Sequence, residues 1–105
     1  MNVPTISVDN LADQIAGGAL VVDVREMEEW EQGRIRGATL IPLGEVVARF
    51  DEFPSDSPVY VMCRSGIRSA EACEYLRSRG IDAINVAGGI LAWVDSDRVI
   101  ERGAR

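Results

Sequence analysis

The sequence contains no histidine and only two cysteines, Cys63 and Cys73. Without an imidazole there can be no Ser-His-Asp triad and no Cys-His dyad. The Cys/His spacings that hold zinc and the Cys-x-x-Cys pair are missing too, so no metal site is expected. Aromatic residues are scarce, two each of Phe, Tyr and Trp, and 17 acidic against 11 basic residues give a formal charge of -6. Phosphate backbones are bound by clustered Lys and Arg, so a nucleic-acid partner is disfavoured. No stretch approaches the roughly 18 consecutive apolar residues of a membrane span. The N-terminal "MNVPTISVDNLADQ" lacks the basic and apolar regions of a signal peptide. The expectation is a cytoplasmic protein with neither a membrane nor a nucleic acid as partner.

What remains is an ordinary folding composition, 47% hydrophobic and 27% charged over 105 residues. That size suits one domain, 1–105, with a core of its own. Short apolar runs alternate with helical patterns. "ALVVDV" (19–24), "ATLIPL" (38–43), "VYVMC" (59–63) and "AINV" (83–86) read as strands, with "TIS" (5–7) a weaker fifth. Their runs are continuous rather than alternating, as in strands buried on both faces. Between them, Ser7 is placed to cap a helix carrying Leu11 and Ile15 one turn apart, and "REMEEWEQG" ends at Gly33. "LGEVVARFDEF" reads as a further helix before Pro54, 65–79 as the longest, and "GGILAWVDSD" as the last. This rhythm predicts an α/β layer fold with a mostly parallel sheet. The final "DRVIERGAR", from about residue 97, reads as a partly ordered tail.

One segment is not explained by core formation. In "VYVMCRSGIRSAEACEYL" (59–76) a thiol ends an apolar strand and is followed at once by a polar, charged loop and a helix. A cysteine in a short apolar run is usually a small core residue. A following Arg-Ser-Gly-Ile-Arg-Ser could not be buried cheaply without a purpose. In a parallel sheet ligands bind beyond the carboxyl ends of the strands, where loops enter helix N-termini. Unpaired N–H groups and the helix dipole there stabilise an anion, Gly66 permits the tight curl, and Arg64 and Arg68 add charge. These features predict a lowered Cys63 pKa and a nucleophilic thiolate.

Two chemistries use such a loop: phosphoryl transfer with a Cys-x5-Arg spacing, and sulfur transfer with a shorter ring. Here Arg68 is five residues after Cys63 and Ser69 six, so the loop is one residue short for the first. Displacement of sulfite or a thiolate from a sulfane sulfur also needs little proton donation, whereas a phosphate ester usually needs a general acid. The missing histidine is no handicap to sulfur transfer.

With these residues assembled, the sequence resembles the rhodanese family, and within it the small single-domain sulfurtransferases. "VVDVREMEEWEQGRIRGATLIPLGEV" is similar to the family's DVRE segment and Gly-x-Ile-x-Gly-Ala turn. "VYVMCRSGIRSAEACEYL" resembles its CRSGxRS loop, and "NVAGGILAW" its Gly-Gly-x-x-x-Trp ending. The resemblance implies a three-layer α/β/α fold around a five-stranded sheet, with Cys63 as the sulfur-accepting nucleophile. It makes Arg64, Ser65, Gly66, Ile67, Arg68 and Ser69 the loop whose N–H groups hold a persulfide. Asp23 and Arg25 become a polar brace beside the site, and Gly88, Gly89 and Trp93 turn and packing residues. The implied reaction needs no cofactor. A donor such as thiosulfate loads Cys63, and cyanide, a small thiol or a protein thiol unloads it. A persulfide carrier or regulatory binding module with little turnover is the alternative from another class, and an arsenate reductase or phosphatase the enzymatic rival. The chain departs from the family's Gly-His-Ile-Pro-Gly-Ala at "GRIRGA", where Arg34 and Arg36 read as solvated surface charge.

Cys73 lies roughly 10 Å of helical rise beyond the loop, farther than the about 7 Å that a disulfide spans. It shares an apolar stripe with Ala70 and Leu76 and is expected in the core.

Overall fold

The computed structural model describes residues 2–103. Five parallel strands form one sheet: β1 (Thr5–Ile6), β2 (Leu20–Asp23), β3 (Thr39–Leu40), β4 (Val59–Met62) and β5 (Ala83–Val86), in the spatial order β1-β5-β4-β2-β3. β4 is central and buried along its whole length. Its side chains alternate between two cores. Val59, Val61 and Cys63 join the first core, with Ala72, Cys73 and Leu76 of helix α3 (Ile67–Ser78). Tyr60 and Met62 join the second, with Leu11 of α1 (Val8–Ala16) and Ile90 and Trp93 of α4 (Gly89–Asp95). Helices therefore cover both faces of the sheet, which is why its strands read as continuous apolar runs. The α/β class, the five strands and the three layers follow the sequence reading. No helix among the described residues is long and apolar enough to cross a membrane.

Local chemistry explains most boundaries. The Ser7 hydroxyl accepts the N–H of Asn10 at 3.1 Å and starts α1. Helix α2 (Met27–Gln32) is short and buries no residue completely.

Two expectations change. "LGEVVARFDEF" does not form an α-helix but two 3-10 turns, Leu43–Glu45 and Phe50–Glu52. The residues it turns inward, Leu43 with Val46 and Phe50 with Phe53, stand three apart, the spacing that a 3.0-residue turn places on one side. Gly44 further weakens an α-helix. The stretch from about residue 97, read as a partly ordered tail, folds back as far as residue 103. Glu101 exchanges both backbone hydrogen bonds with Arg34 at 2.9 Å, Gly103 N–H donates to Glu31 O, and Trp93 Nε1–H donates to Val99 O. The last two residues of that stretch lie outside the described ones.

The order of the strands places the site. After β2 the chain moves outward to β3, then returns to put β4 on the other side of β2. The loops leaving β2 and β4 diverge and open a crevice at their carboxyl ends, the switch point where ligands bind in open α/β sheets. Asp23 and Met62 are register partners at that end.

Candidate active site

Cys63 follows β4 directly, and the loop after it curls back on its sulfur. Gly66 N–H donates to Sγ at 3.1 Å, Ser69 N–H at 3.4 Å, and the Ser69 hydroxyl lies 3.3 Å away. Gly66 sits at φ +105°, in the left-handed region that lets the loop turn into α3. Burial is the strongest single influence on the Cys63 thiol and opposes ionisation. The Ser69 hydroxyl and the N–H groups of Ser69, Gly66 and Ser65 outweigh it, and the pKa falls below the ordinary cysteine value. The lowering comes from oriented dipoles.

The N–H groups face inward because the loop's carbonyls are held outward. Cys63 O accepts Ile90 N–H at 2.9 Å and Arg64 O accepts Leu91 N–H at 3.1 Å, so the first turn of α4 grips the loop from behind. This approach requires glycine at 89: a Cβ there would lie 2.3 Å from Cys63 O and 2.6 Å from Arg64 O. Gly89, read as a turn residue, is thus a direct support of the cysteine loop.

Asn85 is a second support, one the motifs did not mark. Its amide Nδ2 donates to Gly66 O at 3.0 Å, and its Oδ1 lies 2.5 Å from the Ser69 hydroxyl, whose single proton it shares with the Cys63 sulfur. It is an almost fully buried polar residue in the otherwise apolar "AINV", and a buried amide in such a strand is the signal that could have found it.

Asp23 and Arg25 form a buried ion pair at the end of β2. Arg25 Nε lies 3.0 Å from both Asp23 oxygens and an Nη 2.8 Å from one. The guanidinium also reaches Gly33 O at 2.7 Å and Glu29 O at 3.3 Å. It therefore ties the carbonyl end of α2 to the sheet, where the helix dipole favours a cation.

Arg68 does not stand free beside the sulfur. Its two terminal nitrogens each meet one oxygen of Glu29 at 2.8 Å, a two-pronged pair joining α2 to α3. Arg68 holds the Glu29 carboxyl down at about 2, and the pair is ionised at any ordinary pH. Arg64, Ser65 and Ile67 are exposed at the rim, and Ile67 keeps 77% of its surface open. Cys63 is only 1% exposed and is reached through that rim. Among the described residues no cluster of His, Cys, Asp and Glu could hold a metal ion.

The ring of donors around Cys63 at the end of β4 can be set beside known proteins. The family described as Rhodanese-like domain matches residues 7–96. The chain belongs to the rhodanese family. A putative sulfurtransferase, YtwF, of Bacillus subtilis is 35% identical over 95 residues, which cover 89% of this chain and 92% of that one. A sulfurtransferase of Allochromatium vinosum is 38% identical, over 87% of this chain and 88% of its own. The crystal structure of a rhodanese-like domain protein from Staphylococcus aureus superposes with a TM-score of 0.86 at 37% identity. It covers 94% of this chain and 97% of that one. In this rhodanese domain one of the two arginines of "GRIRGA" departs from the surface reading. Arg34 is buried, with its guanidinium 3.1 Å from Trp30 O and 2.7 Å from Gly103 O and stacked 5.0 Å from the Trp30 ring centre. Arg36 is solvated as expected, its side chain 88% exposed.

Proposed function

We propose that the chain moves a sulfane sulfur through a persulfide on Cys63, in two half-reactions. In the first, the Cys63 thiolate attacks the outer sulfur of thiosulfate or a similar donor. A sulfur–sulfur bond forms to Cys63 while the donor's own breaks, and sulfite or a thiolate leaves with the electron pair. In the second, cyanide or a thiol attacks that outer sulfur and the Cys63 thiolate returns. This is covalent catalysis that asks for no cofactor and no proton shuttle.

The observation that carries the reading is the convergence of the Gly66 and Ser69 N–H groups and the Ser69 hydroxyl on one sulfur at a helix N-terminus. In this reading Cys63 is the nucleophile, and Arg64, Ser65, Gly66, Ile67, Arg68 and Ser69 form the ring around the added sulfur. Asp23 and Arg25 brace the site at one remove, by tying the end of α2 to β2. A loop one residue shorter than Cys-x5-Arg, around a nearly buried sulfur, suits a slender outer sulfur better than a tetrahedral phosphate. A reactive cysteine of this kind fits the cytoplasm, where thiols stay reduced, and we place the protein there.

Intact mass before and after thiosulfate tests the proposal. The protein should gain one sulfur atom, lose it to cyanide as thiocyanate, and do neither as Cys63→Ser. Loading without measurable turnover would favour a persulfide carrier that hands sulfur to a protein thiol. Hydrolysis of an aryl phosphate with thiosulfate inert would overturn sulfur transfer.

A further inference from the structure

The crevice holds a pattern of charge that the sequence did not reveal. Two arginines approach the cysteine loop from the structured elements, and both are neutralised by a carboxylate in a two-pronged pair: Arg25 by Asp23 and Arg68 by Glu29. The first pair is buried at the end of the sheet and serves the fold. The second is different in kind. Its side chains are 33% and 27% exposed, and Glu29 helps line a shallow cavity of about 200 Å³ with Arg64, Ile90 and Val94. When Cys63 is ionised, its charge and that of Arg68 favour one another. A donor arriving at Cys63 therefore meets oriented N–H groups and an arginine whose charge is already matched.

Resting on the sulfur-transfer reading, we propose that Glu29 is a specificity-determining residue. By clamping Arg68 it leaves a dianionic donor such as thiosulfate only the exposed Arg64 as a counter-charge in the cavity, and it shifts preference toward donors whose sulfane sulfur rides on an uncharged organic group. The surroundings fit such a group. Ile90, Val94 and Ile100 line the cavity beside Glu29, and Ile67 in the cysteine loop is an exposed apolar side chain. For an organic hydropersulfide, R–S–SH, the Cys63 thiolate takes the outer sulfur with its proton and R–S⁻ departs, so atoms and charge balance without another reactant. Glu29 has a local role as well, since its Oε1 accepts Glu26 N–H at 3.0 Å and secures the start of α2. Glutamine preserves that contact and the packing while removing the charge, which makes Glu29→Gln the informative variant.

The experiment compares kcat/KM for thiosulfate with kcat/KM for the hydropersulfide of 2-mercaptoethanol, whose organic group carries no charge. In Glu29→Gln the thiosulfate-to-hydropersulfide ratio should rise about tenfold, chiefly through a lower KM for thiosulfate. The thiosulfate rate should also fall more steeply with salt. The pH profile of Cys63 alkylation should move to lower pH, because the freed cation acts on the thiolate; a merely structural strut would not move it. Glu45→Gln, which loosens an exposed pair with Arg49 in the first 3-10 turn, should leave the ratio unchanged. A ratio that stays level or falls in a folded Glu29→Gln protein that loads sulfur normally overturns this inference alone. Failure of the wild type to take sulfur from either donor overturns the sulfur-transfer reading and this inference with it.

Discussion

Cys63 and Cys73 are the same side chain in opposite surroundings. Both are almost fully buried and free, yet only Cys63 receives hydrogen bonds that favour its anion. Burial without such donors pushes Cys73 up to about 12. At pH 8 iodoacetamide should label Cys63 and spare Cys73 in the folded protein, read by peptide mass mapping; equal labelling would contradict the electrostatics. Cys73→Ala should keep sulfur transfer within a few-fold and cost about 1 kcal/mol of stability as a small cavity. Cys63 is legible in the sequence because its partners at 65, 66 and 69 follow it within six residues, so that composition and spacing alone mark the loop. Glu29 and Asn85 are not legible in the same way. Glu29 is one of four glutamates in "REMEEWEQG", and the chain gives no local sign of which one meets Arg68, 39 residues on. Asn85 comes from a strand whose contact with the loop exists only once β4 and β5 are paired.

At the scale of elements, the cysteine loop is shaped by what grips it. α3 begins inside it and supplies donors to the sulfur, whereas α4 takes the outward carbonyls of Cys63 and Arg64 onto its first free N–H groups. The end of one strand and the starts of two helices therefore fix a single ring, and close contact at Gly89 is the condition for it. Gly37 gives the comparison. It also has positive φ, +85°, but a Cβ there meets nothing within 4 Å, while at Gly89 it would run into two backbone oxygens. Gly37→Ala should cost only the conformational strain, about 1 kcal/mol, with sulfur transfer retained. Gly89→Ala should be the more destabilising and should slow persulfide formation by at least tenfold, because the ring must open to admit the methyl group. Thermal unfolding and single-turnover loading by mass spectrometry measure both. Comparable loading rates in the two variants would mean that α4 does not set the shape of the loop. The failed helix at "LGEVVARFDEF" belongs to this scale too. Its apolar residues were visible, but spacings of three and four both read as helix in a sequence, and only packing against α3 and the sheet selects the tighter turn.

Across the whole molecule, strand order brings the ends of β2 and β4 together, and the chain's final stretch then locks the element that stands between them and solvent. Helix α2 has no fully buried residue of its own, so packing alone does not fix it. It is held on one side by Arg25, on another by the Glu29–Arg68 pair, and at its end by Arg34, whose guanidinium meets both Trp30 O and the O of Gly103, 69 residues after it. Its neighbour Arg36 reaches only Glu101, at 3.5 Å, from an open position. The sequence made these two arginines look alike, two positive charges flanking Ile35 in a turn. Their difference arises from the returning terminal stretch, which covers one and leaves the other in water. Removing Arg34 leaves a buried cavity beside the Trp30 ring and takes an ionic hydrogen bond from Gly103 O. Arg34→Ala should therefore lower the unfolding free energy by about 2–3 kcal/mol. Arg36→Ala gives up only a solvent-screened pair and should stay within about 0.5 kcal/mol of the wild type. Urea unfolding of the two variants side by side measures the contrast, with equal m-values as the check that both unfold as one unit. Equal and small losses would mean that the terminal stretch does not secure α2, and that Arg34 is as much a surface charge as its neighbour.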